Sequence, residues 1–331
     1  MATTIFGPVD VLNQAGRFWD GESPGRRSIP LDVKIASADG GAISTLDGVE
    51  LLPQCGINDV EDVDLIVIAS ATQVDEILRR APGLVDWIRH HHSKGAHVAS
   101  ICTGVFLLAE SGLLDGKTAT LHWGFVHEFK LRYPHIALEP DRIFLDHGRV
   151  YCSAGVTAGM DLSLYLVEKF CGRAAARQSA KTMVLGMDRR QQTPYGSMVK
   201  NRVLDDPVVA GAQEWIEENQ ARSIDYNELA AALKISRRSL ERRFKNRTGT
   251  TPLAYLQQLR VEKAKQMLEQ GRSCFAHIAH AVGYEDVSFF RKLFIRLTGL
   301  KPKEYQEKFA GYLVDGSSGD LFKGKSTSST S

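Results

Sequence analysis

The stretch Ser236-Arg-Arg-Ser-Leu-Glu-Arg-Arg-Phe-Lys-Asn-Arg-Thr-Gly249 reads as a helix with a start, a buried face and a stop. The Ser236 hydroxyl can accept a free N–H of the first turn. Leu240 and Phe244 stand four apart on the inward face. Gly249, with Pro252 beyond it, is a stop signal. The outward face carries Arg237, Arg238, Glu241, Arg242 and Lys245, and six basic residues against one acidic lie between Arg237 and Arg247. A shorter helix over 226–233 precedes it behind the cap residue Asp225, with Leu229, Ala232 and Leu233 inward. A short helix, a tight turn and a second, basic helix form the helix-turn-helix pattern, whose second helix enters the DNA major groove.

A lone basic helix is ordinarily a solvated face, but here the whole pattern recurs. Residues 275–281 form a short helix, Gly283-Tyr284 the turn, and Asp286 caps a helix through Leu297. Phe290 and Phe294 repeat the inward pair, while Ser288, Arg291, Lys292 and Arg296 lie elsewhere around the helix. Phe244…Thr-Gly249…Pro252 is matched by Phe294…Thr-Gly299…Pro302. Core packing alone does not produce that coincidence. Between the two units, residues 253–270 read as one helix of about 18 residues, roughly 27 Å long. Successive major grooves on one DNA face lie about 34 Å apart. Such a spacer could set two recognition helices into adjacent grooves, where Arg bonds guanine bidentately and displaces counterions from the backbone.

The chain has 331 residues, 43% hydrophobic and 24% charged, a globular balance with room for two domains. Its net charge of +2 conceals an asymmetry: residues 1–207 carry 21 basic against 25 acidic residues, residues 208–312 carry 18 against 12. One part is suited to a polyanion and the other is not. Five scattered cysteines without a CxxC spacing argue against disulfides and a structural zinc site. With no apolar run of membrane-spanning length and no leader pattern, the expectation is a cytoplasmic protein without a membrane contact.

The first half alternates strands over 33–37, 64–70, 97–101 and 118–121 with helices over 74–88 (broken near Pro82), 103–110 and 157–170. Residues 143–145 and 149–153 read as a hairpin around His147-Gly148. The alternation predicts an α/β domain on a mostly parallel sheet flanked by helices. Residues 186–207, with Gly186, Pro194 and Pro207 and no period, read as a linker; 208–310 are wholly helical in period; the Ser/Gly-rich end, 311–331, reads as disordered. The run Ala96-His-Val-Ala-Ser-Ile-Cys102-Thr-Gly-Val-Phe is strand, tight turn and helix, a nucleophile-elbow arrangement. A thiol near a helix N-terminus has a lowered pKa, so Cys102 is a candidate nucleophile with His122 or His127 as base. Open α/β sheets also bind ligands at the carboxyl ends of their strands. Cys102, Thr103, His122 and Trp123 are therefore candidates for lining a ligand pocket, against the plainer readings of a small turn residue and a core-edge pair. Adjacent His90, His91 and His92 cannot share a helix face and read as a solvated helix end, so neither metal nor cofactor is expected. Met183 and Met187 read as core and linker packing.

The sequence Ile235-Ser-Arg-Arg-Ser-Leu-Glu-Arg-Arg-Phe, then Arg260-Val-Glu-Lys-Ala, Ile278-Ala-His-Ala-Val-Gly-Tyr and Ser288-Phe-Phe-Arg-Lys-Leu-Phe, resembles the AraC/XylS-type DNA-binding domain. By position, the resemblance implies that Arg238, Glu241 and Arg242 read bases in the first recognition helix, and Val287, Ser288, Arg291 and Lys292 in the second. Residues 5–185, around Cys102, Ala109-Glu-Ser-Gly-Leu-Leu-Asp-Gly-Lys and Cys152-Ser-Ala-Gly-Val-Thr-Ala-Gly-Met-Asp161, resemble the PfpI/class I glutamine amidotransferase-like domain of GlxA-type regulators, a flavodoxin-like fold. Cleaving members of that superfamily commonly have His after the elbow Cys, where this chain has Thr103. The opening Phe6-Gly-Pro-Val-Asp-Val-Leu usually follows a first strand that is not recognisable here. The resemblance implies a nucleoid-associated, homodimeric transcription regulator, an activator that meets double-stranded DNA and RNA polymerase. Its sensor domain, residues 1–185, would bind a small-molecule effector such as an amino acid or quaternary amine and would not act as an enzyme. The alternatives are a thiol amidase with an appended DNA-binding module and a cysteine-based redox sensor.

Overall fold

The computed structural model describes residues 1–15, 31–45, 48–71, 73–80, 82–187, 189–198, 203, 205–271 and 273–310. The expected disordered tail, 311–331, lies outside them. The chain forms two compact units, Met1–Gly196 and Ser197–Ser331.

The first unit runs α1 (Thr3–Gln14), β1 (Ala36–Ser37), β2 (Ile43–Ser44), β3 (Glu50–Leu51), β4 (Cys55–Gly56), β5 (Leu65–Ile68), α2 (Val74–Arg80), α3 (Pro82–Ser93), β6 (His97–Ile101), α4 (Val105–Glu110), β7 (Thr118–Ala119), α5 (Val126–Arg132), β8 (Ala137–Leu138), β9 (Phe144–Asp146), β10 (Val150–Ser153), α6 (Ala158–Cys171) and α7 (Arg173–Thr182). Its main sheet has the order β5-β6-β10-β9, parallel except for the β9–β10 hairpin. Strand β6 is buried on both faces. Val98 joins Ile88, Val105, Phe106 and Phe129 from α3, α4 and α5, whereas Ala99 packs with Leu162 and Leu166 of α6. Helices therefore cover both sides of the sheet, the α/β arrangement that the strand–helix alternation predicts.

Some expected elements shrink. Of 33–37 only β1 pairs, in a two-stranded ladder with β4, and of 118–121 only β7, with β8, because each partner offers two residues. The segment from Phe6 to Leu12 lies within α1, whose face of Thr4, Gly7, Pro8, Val11 and Leu12 is buried. His91 corrects the solvated reading of the histidine run: it is buried against Trp87, with ring centroids 4.5 Å apart. Met183 packs against the α1–α6–α7 core, while Met187 is exposed. The aperiodic segment after Gly186 is not a free connector at its start. The buried Gln192 side chain donates to Leu121 O (2.7 Å) and Pro140 O (2.6 Å), and Arg189 Nε donates to Asp161 (3.0 Å).

The second unit is α8 (Pro207–Glu218), α9 (Tyr226–Ala232), α10 (Arg237–Thr248), α11 (Pro252–Glu269), α12 (Phe275–Ala281), α13 (Val287–Thr298) and α14 (Pro302–Phe309). It has two cores that share α11: Tyr255, Leu256 and Leu259 serve one, Val261, Ala264 and Leu268 the other. The duplication extends to hydrogen bonds. Thr248 Oγ1 donates to Phe244 O and Thr298 Oγ1 to Phe294 O, both at 2.8 Å. Tyr255 OH donates to Glu217 and Tyr305 OH to Glu269, both at 2.7 Å. Gly249 and Gly299 close their helices in the left-handed region, φ +76° and +74°. In α9 the inward residues are Leu229 and Ala230; Ala232, expected inward, is exposed because the short helix turns that face to solvent.

Asp206 ties the start of this unit together. Its carboxylate caps α8 by accepting from Val208 and Val209 N–H and accepts from Arg243 Nε on α10 (2.6 Å). Burial alone would raise its pKa, but Arg243 and the capped N–H groups hold it below the ordinary aspartate value. Such a group stabilises fully above the unfolded pKa of about 4, and that contribution is lost as pH falls through the folded value. Asp206→Ala is expected to cost about 1–2 kcal/mol, the scale of a lost N-cap. Amide exchange of α8 and α10 under mild urea checks this. Asp206→Asn, which keeps a capping oxygen, should cost less and flatten the acid limb of stability; equal exchange in all three proteins would contradict the assignment.

Candidate functional site

The candidate residues fall in both units. On α10, Ser236 caps the helix by accepting from Ser239 N–H (3.2 Å), and Arg237, Arg238, Glu241, Arg242 and Lys245 are all exposed. They are not equivalent. Arg237 Nε donates to Glu241 Oε1 at 2.9 Å across one turn, while Arg243 and Arg247 point to Asp206 and Asp205. Arg238, Arg242 and Lys245 have no ion-pair partner among the described residues. Spaced at four and three, they line one strip of the helix.

On α13, Asp286 caps the helix by accepting from Ser288 and Phe289 N–H. Ser288, Arg291 and Lys292 are exposed, whereas Val287 is half-buried and packs against the second core, so only part of it faces outward. Arg291 lies over the Phe275 ring, 5.0 Å from its centroid. The residue missed at sequence level is Phe289, 50% exposed between Ser288 and the buried Phe290. The inward Phe290/Phe294 pair already forces its neighbour outward, so the signal was in the pattern.

In the first unit the elbow forms as the strand–turn–helix pattern predicts. Cys102 takes φ +56°, a left-handed conformation rare outside glycine, and its N–H donates to Ala154 O (3.1 Å). Gly104 is obligatory. A Cβ there would lie 2.6 Å from Ile68 O and 2.7 Å from Ala69 O. The Thr103 hydroxyl accepts from Ala71 N–H (3.0 Å) and meets Ser70 Oγ (2.8 Å). Buried and fully engaged by the loop after β5, Thr103 shapes the turn and offers no free group to a ligand. Cys102 is 5% exposed. Burial pushes its pKa up, against smaller opposing effects of hydrogen bonds from Ser70 and Thr103. This reverses the expectation of a lowered pKa: desolvation outweighs the helix end. Among the described residues no histidine hydrogen-bonds the thiol.

His122 is half-buried. Its Nδ1 accepts from Gly124 N–H (3.1 Å) and its ring lies against Trp123, with centroids 4.7 Å apart. A Cβ on Gly155 would sit 2.4 Å from His122 Cδ2. Gly155 follows Ala154, the acceptor of Cys102 N–H, so the imidazole and the elbow meet one short segment at the end of β10. Burial lowers the His122 pKa, and the ring is neutral near pH 7. His127, the other candidate base, lies on α5. Among the described residues no cluster of His, Cys, Asp or Glu could hold a metal ion, and no helix is long and apolar enough to cross a membrane.

A parallel sheet with an elbow and a pair of helix-turn-helix units define a two-part regulator class, and comparison with known proteins agrees. The DJ-1/PfpI family profile matches residues 4–169 and a helix-turn-helix domain profile matches residues 229–308. The HTH-type transcriptional regulator CdhR of Pseudomonas aeruginosa is 32% identical over 266 residues, covering 78% of this chain and 76% of that protein. The regulator GbdR of the same species is 26% identical, covering 82% and 73%. An isonitrile hydratase of Pseudomonas putida is 30% identical over 169 residues, 51% of this chain and 66% of that enzyme. The chain belongs to the HTH-type, AraC-like transcriptional regulators that carry an N-terminal DJ-1/PfpI domain.

A buried thiol with a raised pKa resists alkylation. At pH 7, iodoacetamide followed by peptide mass analysis should label the exposed Cys274 at least roughly tenfold faster than Cys102. Labelling of Cys102 as fast as Cys274 at neutral pH would restore the nucleophile reading.

Proposed function

We propose that the protein is a sequence-specific transcription regulator whose helical unit reads two elements of double-stranded DNA under control of a small metabolite bound by the α/β unit. The observation that carries this reading is the matched pair of outward basic helices, α10 and α13, seated in two cores along one 18-residue helix. Arg238 and Arg242 are suited to guanine edges, and Glu241 to cytosine N4. Ser288 and Arg291 are the polar readers of α13, with Phe289 and the outer part of Val287 facing thymine methyls. Lys245 and Lys292 suit phosphates, which position without specifying.

In the α/β unit the proposed ligand surface joins Cys102, His122 and Trp123. It offers a neutral thiol, a neutral imidazole and an indole face. An amino acid or quaternary amine fits that chemistry, its cation resting on the Trp123 ring. A protonated thiol without a base supports binding over turnover, and Thr103 spends its hydroxyl on the fold. The effector acts only by favouring one arrangement over another. The reading extends to a homodimeric activator that contacts RNA polymerase in the cytoplasm, at the nucleoid.

Two experiments test it. On the DNA side, Arg242→Ala should cost about 1–3 kcal/mol on the specific site and relax one or two base positions, while Lys292→Ala should weaken specific and random DNA by similar factors. Five base pairs inserted between the elements should abolish tight binding; undiminished affinity would mean that one unit engages DNA at a time. On the effector side, a thermal-shift screen of amino acids and quaternary amines with the full chain should find a ligand that raises Tm. Cys102→Ala should change that shift while effector-free DNA binding survives, and Cys102→Trp should block it and destabilise the domain through overpacking. Amide turnover abolished by Cys102→Ser would replace this reading with the enzymatic one.

A further inference from the structure

The two helix-turn-helix units meet at one buried cation. Arg260 sits on α11 between Leu259, which serves the first core, and Val261, which serves the second. It is only 7% exposed. Its Nε donates to Gln220 O (2.7 Å) and its Nη2 to Arg222 O (2.6 Å), both in the connection between α8 and α9 of the first unit. The same guanidinium lies over a ring of the second helix-turn-helix unit, with Arg260 Cζ 4.8 Å from the centroid of Tyr284, in the turn between α12 and α13.

The backbones also approach here. Gly283 has φ +89°, and a Cβ at that position would lie 2.6 Å from Ala221 O and 2.9 Å from Arg260 Nη2. The turn of the second unit therefore rests directly on the loop of the first. From this point a ring contact of Tyr284 continues outward to α13. Tyr226, which shares an electrostatic environment with Arg260 and Tyr284, lies under Arg237 of α10, 5.9 Å from ring centroid to guanidinium. Its hydroxyl is buried and has no hydrogen-bond partner among the described residues. Tyr284 lies 5.9 Å from Phe289, the exposed aromatic of α13.

We propose that Arg260 is the positioning residue that fixes the register between the two recognition helices, and thereby the spacing of the two DNA elements the protein accepts. An apolar residue would fill this place without a charge to desolvate. What it would lack is direction: a planar fork that bonds two carbonyls of one unit while stacking on a ring of the other admits one relative orientation. Arg260 touches no base. It acts through α10 and α13, and the inference rests on the reading that both helices engage one site.

The test is selection from a random duplex library with the full chain, as wild type, Arg260→Lys, Arg260→Gln and Tyr284→Ala. The wild type should recover two elements at a single spacing. The variants should recover the same two elements spread over a base pair or more to either side. On the wild-type duplex their affinity should fall by about tenfold, the effect of 1.4 kcal/mol, while affinity for a duplex bearing one intact element stays within about twofold of wild type. Should Arg260→Gln fail to fold, Arg260→Lys keeps the charge without the fork and Tyr284→Ala keeps both carbonyl bonds. Unchanged spacing in the folded variants, or equal losses on one-element and two-element duplexes, would overturn the proposal. If the wild type itself recovers only single elements, the two-element reading falls and this inference falls with it.

Discussion

Helix α11 has to satisfy two hydrophobic cores at once, and the helical unit is built around that constraint. Tyr255, Leu256 and Leu259 are committed to α8, α9 and α10, while Val261, Ala264 and Leu268 are committed to α12, α13 and α14. Burying each large apolar side chain contributes roughly 1.5–3 kcal/mol, so neither half of α11 can rotate without exposing its own core. Eighteen residues at about 1.5 Å each form a spacer of roughly 27 Å. The two basic helices are thus carried by one element that packing forbids to turn, and duplicated Thr, Tyr and Gly contacts give each half the same local solution.

The α/β unit is organised by a different constraint, the strained turn at Cys102. A non-glycine residue in the left-handed region costs on the order of 1–3 kcal/mol. The Cys102 N–H bond to Ala154 O and the Thr103 hydroxyl bonds to the loop after β5 hold it there. Strain of this kind lifts a side chain to the sheet edge. Reactivity needs more than the lift: a partner that stabilises the thiolate. Burial instead keeps the thiol protonated, and His122 turns its Nδ1 to Gly124 N–H. The turn has the shape of a nucleophile elbow, and burial raises the cost of ionising its thiol.

The sequence was most legible where one physical rule dominates. Asp64 to Ser70 reads as a buried parallel strand because nearly every residue is apolar, and β5 within it pairs in parallel with β6. The recognition helices were legible because cap, inward pair and stop all agree. Legibility failed where tertiary partners decide. No local period marks Gln192, whose amide finds Leu121 O and Pro140 O across the fold. The helix-end rule for a thiol pointed the wrong way at Cys102 because the sequence does not give the depth of burial. His91 was masked by its neighbours, since only packing against Trp87 separates it from His90 and His92.

The same distinction bears on charge. Six basic residues between Arg237 and Arg247 suggest a uniformly cationic helix, yet Asp205 and Asp206 engage Arg247 and Arg243, and Glu241 engages Arg237. Those anions stand on either side of the outward strip and leave Arg238, Arg242 and Lys245 as its open cations. The neutralised arginines serve the fold: Arg243 holds the cap of α8 to α10. Non-specific attraction to DNA scales with the number of phosphates neutralised. Discrimination between bases draws on side chains held in a fixed direction. Half of the basic residues of α10 are thus spent on internal pairs, and Arg238 and Arg242 leave the surface of a helix that Arg243 ties to the cap of α8.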